Sequence, residues 1–251
     1  MRTKTLLLAA SALAAGLITS QAQVYSANIV GYANVPTLQN GSFYQIMVPF
    51  DIGVSNGANE IFGTSLPIGT TLSTWSVALQ GYVTTYFDNQ GNPGDPQWYM
   101  GDDTTITNPP ILLPGQGILI KPNGPNVTNV FAGTVAVNVG ATNSVPLTGN
   151  GSFYLVGGLV PYGGVATNGT AAGGGGNLNG LPIGTTVSIW NVGLQGYLTY
   201  YYDNQGNPGD PQWYMGDDTT ITNAPVLNVG QPALIKPNAS GYNWTNGLSS
   251  N

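Results

Sequence analysis

Residues 70–87 read TTLSTWSVALQGYVTTYF and residues 185–202 read TTVSIWNVGLQGYLTYYY, and the fold turns on this doubled stretch. Thr70 to Val77 is dense in β-branched and aromatic side chains, which suit a pleated, half-buried surface. Gln80-Gly81 interrupts the run, and Tyr82 to Phe87 resumes it. Two such runs around a glycine-containing turn predict neighbouring strands.

Outward from the hairpin the duplication continues. Leu66-Pro67-Ile68-Gly69-Thr70-Thr71 recurs as Leu181-Pro182-Ile183-Gly184-Thr185-Thr186, and the copies align without a gap to Asn123 and Asn238. Asp88–Asn108, DNQGNPGDPQWYMGDDTTITN, returns unchanged as Asp203–Asn223. Upstream, Val35-Pro36 and Asn40-Gly41-Ser42-Phe43-Tyr44 correspond to Val145-Pro146 and Asn150-Gly151-Ser152-Phe153-Tyr154. Both Asn-Gly pairs are hairpin signals, because each residue tolerates positive φ. Between these anchors the second copy carries an insertion with Gly173 to Gly176, which reads as a mobile loop. Pro114-Gly115 breaks the chain before the apolar run Ile118-Leu119-Ile120.

The repeat period far exceeds the roughly 20 to 50 residues of solenoids, so each copy reads as a small domain. After the first residues no helical periodicity is sustained. The expected fold is all-β: two tandem antiparallel β-sandwich or small barrel-like domains after a signal peptide. The expected boundaries are a leader over 1–22, a first domain over 23–133 and a second over 134–251. Val127 to Val139 is strand-like and could close the first domain or open the second. Because Gln23–Asn34 resembles the stretch around Thr134 to Ser144, a strand exchanged between domains or between molecules stands as an alternative.

The leader expectation rests on Arg2 and Lys4, the apolar run Leu6 to Ile18, and Ser20-Gln21-Ala22. Small residues at those last positions suit a signal peptidase cutting near Ala22 and Gln23. The apolar run is shorter than the roughly 20 residues needed to span a bilayer, so no membrane insertion is expected after cleavage. The expected location is secreted, extracellular or cell-surface, with the periplasm as an alternative.

Beyond residue 22 the only basic side chains are Lys121 and Lys236, against all 10 acids. A chain so poor in cations carries no footprint for nucleic acid. The sequence has no Cys and no His, which removes disulfides, thiolate chemistry, the commonest general base and the commonest transition-metal ligand. Charged residues make up 6% of the chain, yet 41% of it is hydrophobic and 10% aromatic, a balance that argues for a folded core rather than disorder.

Several motifs point the same way. Val24-Tyr25-Ser26, Asn28 and Val30-Gly31-Tyr32 follow the leader, Leu66-Pro67-Ile68-Gly69-Thr70 starts a strand, and Pro114-Gly115-Gln116-Gly117-Ile118-Leu119-Ile120-Lys121-Pro122 builds another. With the spaced Trp75, Tyr82, Tyr86 and Trp98, this pattern resembles secreted bacterial tandem β-domain repeat proteins of unknown function. The resemblance implies export and fold, and brings no catalytic residues with it.

Eight of the 10 acids fall in the repeated block. Asp88, Asn92 and Asp95, with Asp203, Asn207 and Asp210, are oxygen-rich loop residues of the kind that could ligate calcium, the one cofactor considered. The spacing does not fit an EF-hand, and turn-capping by Asp and Asn is the plainer reading. Asp95, Gln97, Trp98 and Tyr99, with Asp210, Gln212, Trp213 and Tyr214, combine aromatic faces with hydrogen-bonding groups, as a sugar-binding surface would. Trp75 and Trp190 read as core. The adjacent pairs Asp102-Asp103 and Asp217-Asp218 make poor acid–base couples, since neighbours on a strand point to opposite faces.

These observations favour a non-enzymatic extracellular structural or adhesive protein: a matrix, coat or filament subunit. Its expected partners are itself or an extracellular polysaccharide. The alternatives are a carbohydrate-binding protein with two equivalent aromatic and Asp sites, and an Asp-dependent hydrolase.

Overall fold

In both copies the paired strands of the doubled stretch turn one face to a hydrophobic core and carry a hydroxyl pair on the other. Leu72 and Phe87, like Val187 and Tyr202, are buried in hydrophobic cores. On the opposite face Ser73 meets Thr84 at 2.8 Å, and Ser188 meets Thr199 at 2.9 Å. The computed structural model describes residues 30–247, apart from 35–37, 40, 54, 64–65, 92–95, 125, 127–129, 137–141, 150, 161–162, 167–177, 179 and 207–210. The expected leader, the start of the Val24-Tyr25-Ser26 motif, Asn40, Asn150 and the Gly173–Gly176 insertion lie outside the described residues.

The fold is all-β with one short helix among the described residues. Copy 1 runs β1 (Val30–Asn34), β2 (Tyr44–Met47), β3 (Phe50–Asp51), α1 (Ala58–Phe62), β4 (Thr70–Ser76), β5 (Gly81–Asp88), β6 (Gln97–Tyr99), β7 (Ile106–Thr107), β8 (Gly117–Lys121) and β9 (Val130–Val135). Copy 2 runs β10 (Thr142–Leu147), β11 (Tyr154–Val156), β12 (Gly164–Val165), β13 (Thr185–Asn191), β14 (Gly196–Asp203), β15 (Gln212–Tyr214), β16 (Ile221–Thr222), β17 (Val226–Leu227), β18 (Ala233–Lys236) and β19 (Tyr242–Gly247).

Each copy builds a six-stranded antiparallel sheet of the same topology: β2-β8-β4-β5-β6-β7 in one and β11-β18-β13-β14-β15-β16 in the other. The registers match as well. Thr70 lies opposite Phe87 and Trp75 opposite Tyr82, while Thr185 lies opposite Tyr202 and Trp190 opposite Tyr197. Gly41 and Gly151 do take positive φ, at 74° and 73°. They make turns rather than hairpins, because β2 and β11 pair with β8 and β18 instead of folding back across the turn.

The N-terminal strand of each copy is held by the C-terminal strand of the same copy: β1 pairs antiparallel with β9, and β10 with β19. The junction sequence therefore closes copy 1, and neither β1 nor β10 is exchanged within the chain. The copies still share interior. Val160, from copy 2, is buried in the copy 1 core, with Leu159 and Val229 packed against it.

Helix α1 roofs the copy 1 core. Glu60 Oε2 accepts from the Gly57 and Ser55 backbone N–H groups, each at 3.1 Å, and from Ser55 Oγ at 2.7 Å. These bonds satisfy donors that a helix start leaves orphaned. The same contacts, led by the Ser55 hydroxyl, hold the Glu60 carboxyl below its usual range. The helix buries Phe62 edge-on against Phe131, with ring centroids 5.9 Å apart.

Candidate functional site

The face of each sheet turned away from its own core meets the other copy. Trp75 Nε1 donates to the Phe153 carbonyl at 2.8 Å, and reciprocally Trp190 Nε1 donates to the Phe43 carbonyl at 2.9 Å. At the hairpin tips Gln80 and Gln195 adopt φ of 49° and 48°, a left-handed conformation uncommon for a residue with a side chain. That conformation carries each amide to the opposite copy. Gln80 Oε1 accepts from the Phe153 N–H at 2.7 Å, and Gln195 Oε1 accepts from the Phe43 N–H at 2.8 Å. A second reciprocal pair joins backbones, with Met47 N donating to Gly230 O at 2.8 Å and Gly157 N to Gly115 O at 2.9 Å.

These pairs relate the copies by an approximate two-fold axis, the arrangement of an isologous dimer within one chain. Tyr82 and Tyr197 meet on that axis, their hydroxyls 2.6 Å apart. Burial is the main reason both phenols are pushed above the usual tyrosine range. Gln45, only 6% exposed, donates from Nε2 to Tyr197 at 2.6 Å and to Tyr82 at 3.2 Å, while its Oε1 has no partner among the described residues. Trp75 and Trp190, expected in the cores, thus lie between the copies. Each packs edge-on against its own tyrosine at 5.1 and 5.2 Å.

Beside this interface copy 2 has a groove of about 320 Å³, lined by residues that include Phe153, Thr186, Ser188, Thr199, Tyr201 and Lys236. Lys236, Thr186, Tyr201 and Tyr214 form one row across adjacent strands, as the registers require. Lys236 Nζ lies 5.3 Å from the centroid of the Phe153 ring. Each lining residue recurs in copy 1, where Lys121 Nζ stands 5.2 Å from the Phe43 ring centroid. Phe43 and Phe153 therefore serve two purposes. Their backbones are gripped by the opposite copy, and their rings sit beneath the lysine of their own.

The aromatic residues expected to stack on a sugar are placed otherwise. Trp98 and Trp213 are 2% and 7% exposed and pack in the cores against Phe87 and Tyr202. Trp98 Nε1 also donates to Asn59 Oδ1 of α1 at 2.7 Å. Their strand register decides this, because Trp98 lies opposite Phe87 and Trp213 opposite Tyr202 on the core face. Neither indole offers a face to a ligand. Tyr99 and Tyr214 are also buried, on the groove-bearing face of the sheet, and the structure separates them from the tryptophans they adjoin in sequence. Gln97 and Gln212 are half-buried opposite Asp88 and Asp203.

Of the expected calcium ligands, Asn92, Asp95, Asn207 and Asp210 lie outside the described residues. Asp88 and Asp203 each accept the following backbone N–H at 2.7 Å, the turn-forming use of an acid. Among the described residues no three carboxylates gather as a metal site would require. Asp102 accepts from Thr105 Oγ1 at 2.6 Å and from the Thr104 and Thr105 N–H groups. These bonds lower its pKa to about 2, the Thr105 hydroxyl contributing most. Asp217 is held likewise, chiefly by the Thr220 N–H, also at about 2.

Sequence reasoning missed Gln80, Gln195, Gln45 and the paired Phe43 and Phe153. The available signal was Gln-Gly at the same place in both hairpins, together with Lys-Pro-Asn at both strand ends. No family model, curated protein or solved structure matches the chain.

Proposed function

We propose that the protein is a non-enzymatic extracellular structural or adhesive protein, a matrix or coat component in which both copies act as one stiff block. The observation that carries this reading is the reciprocal clasp of Phe43 and Phe153 by the opposite hairpins. A chain that commits its aromatic and amide groups to fixing two copies in one orientation presents repeated surfaces at a fixed spacing. Such preorganisation favours binding to an extended partner, since little freedom is left to lose.

The acids add support. Asp102 and Asp217 are held ionised by threonine and backbone donors, which makes them turn-forming groups and poor proton donors near neutrality. Export rests on the leader pattern over 1–22. Self-association through a free N-terminal strand has less to draw on, because β1 is already paired with β9.

The test combines two measurements on the purified protein. One is molar mass by light scattering over a wide concentration range, and the other is co-sedimentation with insoluble extracellular matrix from the producing cells. Concentration-dependent growth or saturable matrix retention is expected. A protein that stays a single chain and ignores the matrix would overturn the proposal. So would glycan hydrolysis lost on combining Asp102→Asn with Asp217→Asn.

A further inference from the structure

We infer that the lysine-centred groove of copy 2, whose lining residues all recur in copy 1, binds a hexuronate unit of an acidic polysaccharide. The inference deepens the adhesive reading above and rests on it.

Charge comes first. The chain retains two basic side chains beyond residue 22: Lys236 lines the groove, and Lys121 holds the equivalent place over Phe43 in copy 1. Among the described residues no carboxylate lies within ion-pair distance of either ammonium group. In an acidic protein, a lysine with no carboxylate partner among the described residues, standing in a groove, offers a place for an anion. Beyond residue 22, two lysines against 10 acids leave a net charge of −8, which opposes a polyanion only at long range. At physiological salt that field is screened beyond about 8 Å, whereas a direct contact survives.

The remaining groups suit a sugar rather than a bare anion. The Phe153 ring beneath Lys236 and the Tyr201 ring on the adjacent strand supply apolar surface for the C–H face of a pyranose. Ser188 and Thr199 bond each other and keep hydroxyl capacity for a further partner. Thr186 Oγ1 is sealed beneath the groove lining, with no partner among the described residues, so the groove's hydroxyl contacts fall to Ser188 and Thr199. A cavity of about 320 Å³ falls at the small end of ligand pockets, the scale of one or two sugar units. Copy 1 carries the same residues and two of the same bonds: Ser73 bonds Thr84 at 2.8 Å, and Asn123 Nδ2 donates to Ile68 O at 3.3 Å, as Asn238 does to Ile183 O at 3.1 Å.

The deciding experiment passes the purified protein over immobilised polygalacturonate, with dextran as the uncharged comparison. Retention on polygalacturonate alone is expected, weakening as salt rises. Combining Lys121→Met with Lys236→Met should weaken it about tenfold or more, the usual worth of a hydrogen bond to a charged group. Tyr201→Ala should weaken it several-fold with both lysines in place, a readout independent of the charge. Equal retention on dextran, absence of retention on polygalacturonate, or a folded double lysine variant that binds like the parent would each overturn the inference. If matrix co-sedimentation persists while polygalacturonate binding is absent, the groove assignment falls and the structural reading stands.

Discussion

Copy 1 closes its core with α1, whose Asn59 and Phe62 reach Trp98 and Phe131. In copy 2 Ala166 takes the place of Ala58, its N–H donating to Pro225 O as that of Ala58 does to Pro110 O, and the sequence that follows is the glycine-rich insertion. Near the axis the copies also differ, with Gln45 in one and Leu155 in the other, both buried. Yet Trp, Gln and Tyr of each hairpin, and every groove residue, are the same in both. A closing element answers only to its own core and is free to change. A hairpin that must grip the other copy's Phe backbone is constrained from both sides.

The most direct way to break that symmetry is at the tryptophans. Trp75→Ala and Trp190→Ala should each destabilise the protein by about 3 kcal/mol, the lower end for removing a large aromatic. Because each indole makes the same reciprocal bond and packs on the same tyrosine, denaturant titration should give the two variants similar losses. A large inequality would show that the interface is not symmetric in energy.

The axis tyrosines should matter less. Tyr82→Phe leaves Tyr197 and Gln45 short of a partner, at a cost of about 1–2 kcal/mol. Both phenols have folded-state pKa values raised above the unfolded value of about 10. Folding therefore keeps them neutral, so their contribution is whole below pH 10 and is lost as pH climbs beyond it. Thermal melts should weaken over that alkaline window, and less steeply in a Tyr82→Phe, Tyr197→Phe double variant.

Gln45→Leu sharpens the comparison by giving copy 1 the residue of copy 2. It deletes the unpartnered Oε1 and leaves the two tyrosine hydroxyls bonded to each other. Stability should change by less than about 1 kcal/mol, with stabilisation as readily as loss. A penalty above about 2 kcal/mol would show that the amide is needed on the axis.

The smallest effect belongs to Asp102 and Asp217. Their lowered pKa values mean their contribution is present above the unfolded value, 3.8, and is lost as pH falls towards 2. Both carboxylates are solvent-exposed, so Asp102→Asn and Asp217→Asn should each flatten the acid limb of the melting curve slightly and to the same degree. Unequal flattening would mark a difference between loops of identical sequence.

Much of this was legible in the chain. The identical turn chemistry, the β-branched runs and the alternation around Gln80-Gly81 are local properties, and the strands and their equivalence in both copies followed from them. The groove was half legible. Lys121 and Lys236 stood out as equivalent, but their position over Phe43 and Phe153 depends on strands distant in sequence. Trp98 and Trp213 were set beside a ligand by sequence adjacency to Asp95 and Asp210, whereas strand register turned the indoles inward.

The sequence by itself determined the strands, the hairpins and the repetition, because turn residues and alternation act over a few positions. Only the tertiary structure decided which face of each sheet is core and which is interface. Aromatic residues populate both faces here, so an alternation of period two cannot rank them. The choice is made where Leu72 and Phe87 meet Trp98 in one direction, and where Trp75 and Tyr82 meet the other copy in the opposite one.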